Sequence, residues 1–208
     1  MSIDSIMNSR RSIRKFLPDP ISDEQVRELI SAAVKAPSGC NSQCWYFTAV
    51  KTPEKISALA EAAERGVRRF YSEANDENFV SSRIKQTTFF RNAPLVICVF
   101  LTNMEYHDPR IPEYYRSKGI DHKGMLKALG DPDILSIGAA VENLLLKAEE
   151  IGLGACWMND PDVAAEEICE ELGVPENYRL MSVIPVGKPA YVPREKTMKP
   201  MDEILNII

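Results

Sequence analysis

The sequence has little that would mark a membrane protein, a nucleic-acid binder or a metalloenzyme. Its longest unbroken apolar run is Ala93–Leu101, nine residues, where a membrane helix needs roughly 20. Basic residues are not in excess: 25 Lys and Arg face 30 Asp and Glu, a net charge of −5 over 208 residues. A general nucleic-acid surface is basic, so that class is disfavoured. Histidine is scarce. His107 and His122 lie far from any cysteine at zinc spacing, and no H-E-x-x-H occurs. G-x-S-x-G is absent. Gly152-x-Gly154 lacks the third glycine of a dinucleotide fingerprint, because Trp157 stands there. Gly187-Lys188 has no upstream phosphate loop. Hydrolase and metalloprotease readings therefore have no residue support.

Cysteine is present but uncommitted. The five residues Cys40, Cys44, Cys98, Cys156 and Cys169 are odd in number, and the chain is too large to need stapling. They read as free thiols in a reducing compartment. Met1–Asn8 contains Asp4 and no apolar core of a secretory signal, so a cytoplasmic location is expected. With 45% hydrophobic and 26% charged residues, the composition is that of a folded globular protein rather than a disordered one. One domain over residues 1–208, or one protomer of an oligomer, is expected.

Local patterns place the elements. Ser22 with Gln25 forms a capping box, and Val26, Leu29, Ile30, Ala33 and Val34 share one face, predicting a helix over 22–36. Trp45–Val50 predicts a strand, and residues 53 to about 63 a helix with Pro53 in its first turn. Residues 94–101 predict a strand buried on both faces. Asp131-Pro132 signals a helix start, and 133–151 is apolar on nearly every side, the mark of a helix buried all round, at a subunit interface. Ala155–Met158 predicts a strand, 161–172 a helix, and Leu180–Val186 a further strand. Residues 64–92 and 103–130 are mostly polar and read as lid or insert segments, the first with helix content but no defined limits. The tail, 188–208, has three prolines and an apolar end, Ile204–Ile208, suited to wrapping another subunit.

Four segments carry candidate chemistry. Arg10-Arg11-Ser12-Ile13-Arg14-Lys15-Phe16 gathers guanidinium forks and a hydroxyl, groups that grip phosphate. Pro37-Ser38-Gly39-Cys40-Asn41-Ser42-Gln43 offers backbone donors and two amides, suited to the polar edge of a flat heterocycle. Gly152-Leu153-Gly154-Ala155-Cys156-Trp157-Met158-Asn159-Asp160 permits close backbone approach to a ligand ahead of a helix start. Arg194 and Lys196, with Lys188 upstream, could complete a phosphate site. Taken alone, each has a plain reading as a solvated basic stretch, an ordinary turn or a charged tail.

Taken together and in order, the four resemble the nitroreductase family of FMN-dependent, NAD(P)H-using oxidoreductases. The R-R-S-x-R-x-F start, the P-S-x-x-N-S-Q loop, the long apolar helix running into G-L-G-x-x-W-M, and the late basic pair all match, from residue 10 to about 203. The resemblance implies an α+β sandwich, a mixed and mostly antiparallel sheet flanked by helices, built as an intertwined homodimer with FMN at the subunit interface. It implies that Arg10, Ser12 and Arg14, with Arg11 beside them, contact the phosphate and ribityl chain. Arg194 and Lys196 form a second clamp, with Lys188 the alternative. Pro37, Ser38, Gly39 and Asn41 come from the other subunit, and the backbone of Trp157, Met158 and Asn159 runs along the isoalloxazine. NADH or NADPH is the implied electron donor. Nitroaromatics, quinones or similar flat acceptors are the implied oxidants, by a ping-pong mechanism. Enone or free-flavin reduction, or flavin binding without turnover, are the alternatives. No catalytic side chain and no metal are expected. The residues do not support the family's deiodinase or flavin-destroying branches.

Overall fold

The computed structural model describes residues 2–208. Its frame is a four-stranded antiparallel sheet in the order β1 (Trp45–Val50), β2 (Leu95–Leu101), β4 (Arg179–Gly187), β3 (Gly154–Ala155). Among the described residues, the one parallel pairing is an isolated bridge between Ser12 and Ala155.

Strand periodicity explains why both faces are covered. Every residue of β2 is buried, and successive side chains point to opposite sides. Leu95, Ile97, Val99 and Leu101 enter one core with α2 (Asp23–Ala33) and α7 (Pro132–Glu150). Val96, Cys98 and Phe100 enter a second core with α3 (Pro53–Phe70) and α8 (Ala165–Leu172). The result is three layers, helix–sheet–helix, the α+β sandwich expected.

The expected helices appear with informative changes. The Ser22 capping box is complete, both of its hydrogen bonds being made. α3 runs on through the polar stretch to Phe70, and Asp76 caps a further helix, α4 (Glu77–Thr88). Segment 103–130 contains α5 (Arg110–Ser117) and α6 (His122–Ala128), pinned to the first core by Met104, Met125 and Leu126. Pro132 occupies the first turn of α7, but Asp131 is left-handed (φ 51°) and makes no side-chain cap. α7 is not covered all round within one chain. Ile137, Ala140, Val141, Leu144 and Leu145 are buried, whereas Leu135 is 67% exposed. The strand at 155–158 is short: regular pairing ends at Ala155, and a lone bridge joins Met158 to Val183. The predicted helix 161–172 opens with a 3-10 turn, Asp160–Ala164, before α8. The sequence reading predicts no helix at α1 (Ile3–Ser9), which Ser2 caps. No helix of the described residues is long and apolar enough to cross a membrane.

Candidate functional site

The first, third and fourth motifs meet along α7 and β3. The chain after α1 lies beside β3, where the Ile13 N–H donates to the Ala155 carbonyl (2.9 Å), and then runs past the end of β4. The Leu17 N–H donates to Lys188, and the Ala190 N–H to Lys15. This close approach depends on Gly154, since a Cβ there would stand 2.5 Å from Ile13 Cγ1.

The arginines of the first motif have different surroundings. Arg11 donates through Nη1 to the carbonyls of Asn8 (2.6 Å), Ser9 (3.0 Å) and Arg10 (2.9 Å), closing the C-terminal end of α1. Its Nε donates to the Arg194 carbonyl (3.1 Å), which fastens the tail to the N-terminal segment. Arg10 lies half-buried against α7. Its Nε is 3.3 Å from Glu142 Oε1 but makes no hydrogen bond. Arg14 is exposed and donates weakly to the Ser12 carbonyl (3.4 Å).

Lys196 completes a cluster with Arg10 and Arg11. Its ammonium is held below the ordinary lysine pKa by modest desolvation and then by the charges of Arg10 and Arg11, against the opposing pull of Glu142 and Glu149. Lys188, by contrast, is engaged by Asp19 at 2.7 Å. The tail therefore brings Lys196, rather than Lys188, to the arginines. Cys156 locates the other side of the cluster. Burial raises its thiol pKa, while the Arg14 charge and a hydrogen bond with Ser12 lower it. Cys156 is itself buried.

The Trp157–Asp160 edge follows from strand alternation. Cys156 and Met158 donate their N–H groups to the Pro185 and Val183 carbonyls (both 3.2 Å). Alternate donors in a strand point to opposite sides, so the Trp157 and Asn159 N–H groups face away from β4. The Met158 side chain is buried in the second core. The Asn159 amide donates to the Met181 carbonyl (2.8 Å), which braces the segment. The Trp157 ring is 37% exposed and lies beside Gly138 of α7. Past this edge, Arg83 of α4 pairs with Asp160 (2.6 Å) and donates to Gln86 (2.7 Å).

Pro37, Ser38, Gly39 and Asn41 stand apart from the cation cluster. Their loop is docked on the first turn of α7: the Gly39 N–H donates to Ser136 Oγ (3.0 Å), whose hydroxyl donates to the Pro132 carbonyl (2.5 Å). The Ser38 hydroxyl accepts from the Gln43 N–H (3.0 Å). Cys40, Asn41 and Gln43 all have positive φ, between 48° and 53°. Such strain persists only where neighbours over-determine it, here the two serines. Among the described residues, no hydrogen bond or ion pair joins this loop to Arg10–Arg14.

Sequence reasoning missed Gly138 and Glu142. Both were visible as exceptions within the apolar run 134–148: an interior helical glycine and a lone acid. It also missed Arg83, whose role depends on a helix that polar residues leave without a clear period.

The whole pattern can be compared with known proteins. A family model described as the nitroreductase family matches residues 7–188. The chain belongs to the nitroreductase family. A relative from Archaeoglobus fulgidus, provisionally named NADH dehydrogenase/NAD(P)H nitroreductase, is 28% identical over 183 residues, covering 87% of this chain and 82% of its own. Among solved structures, a BluB-like flavoprotein of Clostridium difficile 630 superposes with a TM-score of 0.86 at 28% identity, covering 100% and 99% of the two chains. A nitroreductase with bound FMN from Bacteroides fragilis shares the fold, with a TM-score of 0.71 at 22% identity and 100% and 99% coverage. The nitroreductase fold and a general oxidoreductase assignment follow from these matches.

Proposed function

We propose that this nitroreductase-family chain is one FMN-binding domain that oxidises NADH or NADPH and reduces flat acceptors such as nitroaromatics or quinones. The observation that carries the reading is the cation cluster built from both ends of the chain beside an edge of outward-facing N–H groups. Arg10 Nε is buried without a hydrogen bond, and Lys196 is held near Arg10 and Arg11. A phosphate dianion suits such a cluster, because it supplies the charge and the acceptors these groups lack. Arg10, Ser12, Arg14, Arg194 and Lys196 would hold it, while Arg11 fixes the tail that delivers the last two.

FMN, when bound, supplies hydride acceptance from the nicotinamide and delivery of electrons to a second substrate at the same face. The protein's part is orientation and electrostatics. The Trp157 and Asn159 N–H groups would donate to the flavin's polar edge, where reduction places negative charge, as preorganised donors do in an oxyanion hole. The backbone of Met158 is committed to β4 and braces that edge. No side chain of the cluster need act as nucleophile or base.

A second copy completes the site in this reading. It would bring its Pro37, Ser38, Gly39 and Asn41, which one chain holds away from its own cluster. Surfaces left open in one chain support a homodimer: the stripe of α7 around Leu135, the unpaired edge of β1, and the tail with Val192, Met198 and Ile207 each at least 75% exposed.

The test is the visible spectrum of the purified protein before and after anaerobic NADH or NADPH. A flavin spectrum that bleaches, and then returns with a nitroaromatic or quinone, is the expected result. A colourless protein that takes up no added FMN would overturn the reading. A flavin spectrum that resists both nicotinamides would leave a flavin-binding protein without this turnover. Arg14→Ala is expected to weaken FMN retention by about tenfold or more, the scale of one charged hydrogen bond, as read by flavin fluorescence after gel filtration.

A further inference from the structure

We propose that the cavity between α6 and the first turn of α7 binds a small zwitterion of the amino-acid class. The cavity measures about 220 Å³. None of its lining residues is among those assigned to the flavin, so the proposal stands independently of that reading. Its walls have two poles of opposite charge above an apolar floor.

The negative pole is Asp133, with Asp131 also lining the cavity. Asp133 is 7% exposed, and its Oδ1 is buried with no hydrogen-bond partner. A buried acceptor left unmatched is costly. The positive pole is Lys123, Lys127 and Arg179. The two lysines are four residues apart on α6 and share a face. Among the described residues, no carboxylate lies within ion-pair distance of any of the three. Among the described residues, no ion pair joins the two poles. Met104 and Leu126, both buried, contribute to the floor.

A ligand with one charge satisfies one pole and leaves the other unmatched. A molecule with an ammonium group for Asp133 and a carboxylate for the lysines and Arg179 satisfies both. The apolar floor favours a short aliphatic side chain. Segment 103–130, through α6, then acts as a recognition element.

The experiment is calorimetric titration of the full-length protein, as purified, with glycine, L-alanine, L-leucine and L-methionine. 4-Methylpentanoate and 3-methylbutylamine serve as the single-charge analogues of leucine, and inorganic phosphate as a plain anion. Saturable binding of at least one amino acid is expected. For leucine, either analogue should bind about tenfold more weakly or worse, and Lys127→Ala should weaken the amino acid similarly. Lys127 is exposed, so this variant is expected to keep its melting temperature, and Asp133→Asn supplies the opposite pole. Binding of none of the four amino acids overturns the proposal. So does equal binding of leucine and 4-methylpentanoate, or displacement of leucine by phosphate at equal concentration, either of which would reveal a simple anion site.

Discussion

Asp162 shows how much one carboxyl can say about pH. It sits in the 3-10 turn after the Trp157–Asp160 edge, and its Oδ1 is buried without a partner. Burial pushes its pKa up to about 7, against the pull of Arg179. The unfolded chain ionises this group near pH 3.9. Between those values the folded protein keeps a proton that the unfolded chain has lost. The stabilisation is therefore complete below about pH 4, falls as pH rises, and is gone above about pH 7. Asp162→Asn should melt close to the parent protein at pH 4 and above it at pH 8, by about 2–4 °C for each kcal/mol recovered. Melting curves across that range check the sign, and a constant difference would refute the assignment. The arginines carry a different lesson at this scale. Their string, Arg10-Arg11-Ser12-Ile13-Arg14, is legible in the sequence, but their division of labour is not. Arg11 uses its donors on four backbone carbonyls. Arg11→Ala is thus expected to loosen the tail, with faster proteolysis beyond residue 190 as the readout.

Elements were legible where local chemistry is punctuated. α2 was marked by its capping box, and α7 by Pro132 and a long apolar run. β2 was marked by seven consecutive apolar residues that the fold buries on both faces. The C-terminal end of α3 and the limits of α4 were not, because their polar stretch has no clear period and their packing partners lie far along the chain. α3, for example, packs against the turn before α8. At Gly66 an added Cβ would stand 2.2 Å from Ala164 Cβ and 2.4 Å from its Cα. Gly66→Ala gains about 1 kcal/mol of helix propensity but overpacks a contact with backbone, a cost of about 1–3 kcal/mol. The clash should win, so urea melts should show a lower midpoint. The cap of α2 gives a cleaner case: Ser22→Ala should cost about 0.5–2 kcal/mol, with little change in the dependence of stability on urea. The Trp157–Asn159 edge was placed by its glycines and its motif. Which of its N–H groups face outward became clear only from the pairing of Cys156 and Met158 with β4.

The whole molecule is organised around contacts between distant parts of one chain and surfaces open to a second. The sequence conveyed the sandwich and the four motifs through their order. It could not show that the 37–43 loop rests on α7 away from the cations, because that separation depends on how the loop docks onto Ser136. Deleting residues 199–208 is expected to shift the protein from dimer to monomer in sedimentation velocity and to reduce flavin retention together. Loss of one property without the other would contradict the proposed shared origin. The Arg11–Arg194 clasp spans 183 positions, and this has a consequence for synthesis. While a ribosome is still reading the codons between those two residues, the emerging polypeptide has Arg10 and Arg14 but no tail to set beside them. Any product stopped short of Arg194 lacks the clasp and Lys196. On the proposed reading, loading of an anionic cofactor at this cluster waits until translation has passed both ends of the clasp, which would make cofactor content a readout of full-length synthesis.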